Sequence, residues 1–67
     1  MKAIKRVPFT SYYETIVAGI WVIVENVQGK WYATSESGFV SAEANTLDEL
    51  KIELKQIEIQ LTSNCNF

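Results

Sequence analysis

Ile16-Val17-Ala18-Gly19-Ile20-Trp21-Val22-Ile23-Val24-Glu25 is the stretch on which the fold turns. β-Branched and aromatic residues dominate it, and its length suits a strand better than a helix, so it reads as one long strand. Alternation would set Ile16, Ala18, Ile20, Val22 and Val24 on one face, with Val17, Gly19, Trp21 and Ile23 on the other. Neither face is suited to water. A helix can cover one of them; the other needs the N-terminal segment, a second subunit or a partner protein.

Beyond this run, Asn26, Gln28 and Gly29 make a turn, and Lys30 to Ser35 follows as an alternating strand. Glu36, Ser37 and Gly38 make a second turn, and Phe39 to Ala44 reads as a third strand with Val40, Ala42 and Ala44 on one side. A helix comes next. Thr46 is a good N-cap, Glu49 completes a capping box three residues on, and Asp48 adds charge favourable to the helix dipole. Leu47, Leu50, Leu54, Ile57 and Leu61 recur at spacings of three and four, which predicts a helix from about Leu47 to Leu61 with one apolar stripe. The expected fold is therefore α+β: a three-stranded antiparallel β-meander followed by one C-terminal helix packed on the sheet. Residues 1–15 form a basic arm or edge strand, since Pro8 suits a sheet edge, and residues 16–64 form the β-β-β-α domain.

Some apolar side chains are not absorbed by that core. Ile52 and Ile59 stack on the side of the helix opposite Leu50, Leu54 and Ile57, either as ordinary exposed residues or as a contact with another subunit or partner. Trp21, Trp31, Tyr32 and Phe39 are candidate aromatic anchors of an interface, with core packing as the alternative for some of them. Glu49, Glu53 and Glu58 make the helix acidic. They serve either as a solvated face among Lys51 and Lys55 or as contacts to a basic partner.

Composition narrows the chemistry. A chain of 67 residues holds one domain, with a modest core. Its single cysteine, Cys65, cannot close an intrachain disulfide, and with no histidine a Cys/His metal site cannot be assembled. Of the usual supports for so small a domain, oligomerisation or partner binding remains, and a homodimer or higher oligomer is expected. No cofactor is expected. The absence of histidine, of a phosphate-binding glycine loop and of a nucleophile motif argues against an enzyme. The apolar run is too short to span a bilayer and lacks a cleavage site, so no membrane role is expected and the lone cysteine fits a cytoplasmic setting. With a net charge of −2, nucleic-acid binding is the minor alternative; Lys2, Lys5 and Arg6 would be its contacts, with Tyr12 and Tyr13 nearby.

Two motifs in order suggest a relationship. Gly29-Lys30-Trp31-Tyr32-Ala33 resembles the glycine, aromatic, alanine start of the second strand in the HicB-like antitoxin domain, and Thr46-Leu47-Asp48-Glu49-Leu50 resembles that family's threonine-headed helix. The resemblance covers about Val17 to Leu61, with Gly38 before the third strand, and is nearest to short stand-alone HicB-like proteins. Ser35-Glu36-Ser37-Gly38 replaces a longer proline-containing loop of the family, Ala44 replaces a glycine, and no C-terminal DNA-binding domain is expected. What the resemblance implies is a module that masks a small basic ribonuclease toxin of the HicA type, or a descendant with a changed partner.

Overall fold

A computed structural model describes residues 2–64. In chain order the elements are β1 (Lys5–Arg6), β2 (Tyr13–Val17), β3 (Ile20–Val27), β4 (Lys30–Ser35), β5 (Ser41–Ala44) and α1 (Leu47–Asn64). The strands form one antiparallel sheet in the order β1-β2-β3-β4-β5. The α+β class and the C-terminal helix are as expected. The strand count is not, for the sheet has five strands where three were expected.

The difference arises at Ala18 and Gly19. Both take positive φ, 52° and 78°, and Val17 pairs directly with Ile20 across them. That is a two-residue hairpin with left-handed geometry at both turn positions, which matches the twist of its strands. Gln28 and Gly29 repeat the device between β3 and β4, with φ of 53° and 84°, and there Asn26 Oδ1 accepts the Gly29 N–H at 3.2 Å. The run from Ile16 to Glu25 is therefore two strands. Because Ala is strained in the left-handed region and Asn is tolerated there, Ala18→Asn is expected to raise stability by roughly 0.5–1 kcal/mol in urea titrations.

The turn also changes which residues share a face. In a continuous strand Val17 would oppose Val22 and Val24; across the hairpin Thr15, Val17, Ile20, Val22 and Val24 all lie on one face. With Ala33, Val40 and Ala44 they meet Leu50 and Leu54 of α1 to form the core, and Leu47, Ile57 and Leu61 pack at its margin. Thr15 is the one buried polar residue among those described, and its hydroxyl donates to the Lys2 carbonyl at 2.6 Å. This bond, with the Lys2 N–H to the Ile16 carbonyl at 3.1 Å, ties the N-terminal segment to β2. β2 itself runs across residue 15, where the arm was expected to give way to the domain.

α1 starts as expected and runs three residues beyond Leu61. Thr46 Oγ1 accepts the Glu49 N–H at 3.1 Å, a donor the helix itself cannot satisfy, and the Thr46 carbonyl accepts the Leu50 N–H as the first bond of the helix ladder. Thr46→Ala is expected to cost about 1 kcal/mol, read as a lower urea midpoint with an unchanged slope. The last strand begins at Ser41, not Phe39. Ser35 and Val40 close the loop before it, the Ser35 N–H donating to the Val40 carbonyl at 3.0 Å and the Val40 N–H to Ser35 Oγ at 3.1 Å.

Candidate protein-binding surface

The helix covers one face of the sheet only. On the other face the register sets Ile16 beside Trp21, Ile23 between Glu14 and Thr34, and Tyr32 between Glu25 and Glu43. Ile16, Ile23 and Tyr32 are half-buried, while Trp21 remains 47% exposed. The indole is held in place: its Nε1–H donates to Glu14 Oε2 at 3.0 Å. Around this apolar centre stand Lys5, Glu14, Glu25, Lys30 and Glu43, with Lys30 and Glu43 in an exposed ion pair at 3.6 Å. A sheet that faces water on one side normally alternates apolar inward and polar outward. This outer face departs from that pattern along β3, where Trp21, Ile23 and Val27 alternate with Val22 and Val24 of the core.

The other candidate residues are spread over the molecule. Trp31 points to the helix side, packs against the core and tilts at 54° to the Tyr13 ring, centroids 5.6 Å apart. Phe39 sits in the β4–β5 loop, exposed, beside a hollow lined by Ala18, Ile20, Leu61 and Thr62. Ile52 and Ile59 are exposed on the outer side of α1. Glu49 and Glu53 are exposed, and Glu53 overhangs β5, sharing a hollow of about 530 Å³ with Tyr32, Thr34, Ser41, Ala42 and Glu43. Glu58 has a different task. Its Oε2 accepts the Ala18 N–H at 3.0 Å, so it clasps the β2–β3 turn from the helix.

The basic side chains gather at the opposite edge. Lys2, Lys5 and Arg6 are exposed, and the Arg6 guanidinium donates through Nε and Nη2 to the Thr10 carbonyl, both at 3.4 Å. Between β1 and β2 the Thr10 N–H donates to the Val7 carbonyl at 3.2 Å, closing a turn with Pro8 and Phe9 at its centre. Phe9 takes a φ of 64° and is fully exposed. Lys2 and Lys5 also border a hollow of about 510 Å³ with Glu14, Ile16 and Trp21.

Among the described residues no group of three or more His, Cys, Asp or Glu side chains could hold a metal ion, and no helix is long and apolar enough to cross a membrane. Cys65 lies outside the described residues. Ile23 shares a face with Trp21 in the sequence reading as well, whereas Ile16 was set on the opposite face, because its grouping with Trp21 depends on the turn at Ala18-Gly19. No protein-family model, curated protein or solved structure matches the chain.

Proposed function

We propose that this chain is a small protein-binding module that buries its helix-free sheet face against a partner. The observation that carries this reading is the contiguous set Ile16, Trp21, Ile23 and Tyr32 at the centre of that face. Burying a large apolar side chain fully is worth roughly 1.5–3 kcal/mol, and aromatic residues ringed by polar ones are the usual anchors of an interface. The rim of mixed charge orients a partner more than it strengthens its hold.

Size sets the character of the complex. The five strands hold 2, 5, 8, 6 and 4 residues, and at about 4.8 Å between strands and about 3.3 Å per residue they offer roughly 400 Å². That is about half of what each side of a standard stable interface buries. The face by itself suits a transient complex, and a lasting one needs adjoining surface. The HicB-like resemblance makes the partner a small basic ribonuclease toxin held inactive by masking. A second copy of the chain, giving a homodimer, is the other occupant of the same face.

The test is affinity purification of the tagged chain from its native cells beside an Ile23→Lys variant, with folding of the variant checked by circular dichroism. A basic ribonuclease that co-purifies in near-equal amount, and that the wild-type chain suppresses but the variant does not, is the expected result. Equal recovery and equal suppression by the variant would remove this face from the mechanism. Sedimentation of the purified chain, wild type against variant, identifies the homodimer if the partner is another copy.

A further inference from the structure

The two edges of the sheet are built differently. β1 is two residues long, both of them cations, and Pro8 follows closely, which are the usual guards against pairing with another strand. β5 is Ser41-Ala42-Glu43-Ala44, twice as long, with no proline and no lysine. It ends the sheet, with Ser41 and Glu43 exposed, Ala42 half-buried and Ala44 buried. Acidic groups stand on both sides of that edge: Glu43 on the helix-free face and Glu53 from α1 on the other, both lining the 530 Å³ hollow with Ser41 and Ala42. Among the described residues Glu43 is engaged by an exposed pair with Lys30, a contact of a kind that contributes little.

We propose that β5 is a strand-addition site whose free edge takes an extended segment of a partner protein carrying Lys or Arg at successive positions. Added strands bind through main-chain hydrogen bonds, and side pockets select among alternate side chains. Successive residues of such a strand point to opposite faces, so one cation reaches Glu43 and the next reaches Glu53. A second copy of β5 fits poorly, because it would bring two acidic edges together. The chain's own basic strand β1 is too short and too well guarded to serve as the occupant. The inference rests on the protein-binding reading and uses the strand edge that adjoins the helix-free face, sharing Glu43 with its rim, so it supplies area which that face lacks.

The experiment uses the full chain and a dye-labelled, end-capped nine-residue peptide built from Val-Lys-Arg repeats, followed by fluorescence anisotropy. Binding is expected, with amide resonances of residues 41–44 shifting most on titration. The double variant Glu43→Lys with Glu53→Lys is expected to weaken it roughly ten-fold or more. Methylating the backbone nitrogens of the peptide throughout keeps its charge and removes its donors on both edges, and is expected to cost a similar factor. Affinity within about two-fold for the methylated peptide would mean charge adsorption without strand pairing and would overturn the proposal. So would failure of the unmodified peptide to bind. Trp21→Ala is expected to leave peptide binding unchanged, so a failure at this edge and a failure of the helix-free face give separate signatures.

Discussion

Leu54→Ala is expected to lower stability by about 2–5 kcal/mol, a large part of what a domain of this size has. Leu54 is fully buried with Leu50, Val17, Val22 and Val24, and no part of its side chain reaches water. Truncation removes the transfer energy of three carbon atoms and leaves a cavity between a single helix and a single sheet. Small domains have little to spare. At roughly 0.05–0.15 kcal/mol per residue, a chain of this length has about 3–10 kcal/mol in total. Urea unfolding followed by circular dichroism checks this, with Ile52→Ala as the matched control. Ile52 is 61% exposed on the same helix, and its truncation is expected to change stability by no more than about 0.5 kcal/mol. Similar losses for the two would mean that α1 does not pack as described.

Trp21→Ala is expected to act on binding while sparing the fold. The indole packs beside Ile16 and is pinned by Glu14, yet nearly half of it faces outward, so its loss is expected to cost about 1 kcal/mol of stability at most. If it anchors the interface, the same change costs 2 kcal/mol or more of binding, about thirty-fold in affinity. Surface plasmon resonance against the purified partner measures this directly. Unchanged affinity would assign the apolar centre to sheet stability alone.

How much of this was legible in the sequence depends on how local each signal is. The helix could be read because Thr46 and Glu49 mark its start and five apolar residues keep its period. Gln28-Gly29 could be read because Asn26 and a polar neighbour flank it. Ala18-Gly19 uses the same geometry but is flanked on both sides by branched residues, and Ala carries no turn signal of its own. What settles that turn is distant: the common burial of Val17 with Val22 against Leu54, and the Glu58 carboxylate on the Ala18 N–H from 40 residues away. The candidate surface inherited the same blind spot. Trp21 and Tyr32 stand out as aromatic, and Ile23 keeps Trp21's parity in either reading, but Ile16 joins them only because parity reverses at the turn. Glu58, by residue type a partner for solvent or a basic protein, clasps the backbone instead.

Each strand of the sheet lies beside the one that follows it in the chain, and two of the four connections are only two residues long. Pairing therefore proceeds by closing short loops in sequence, at small entropic cost, and a chain of this order should fold quickly for one so rich in β structure. Tight hairpins form within about 1–10 μs, so β2-β3-β4 is the natural nucleus, with α1 docking afterwards through Leu50 and Leu54. The same order predicts where the molecule opens first. β1 is held by the fewest strand contacts and β3 lies at the centre, so amide exchange should slow progressively from the basic edge inward, reaching its limit on β3.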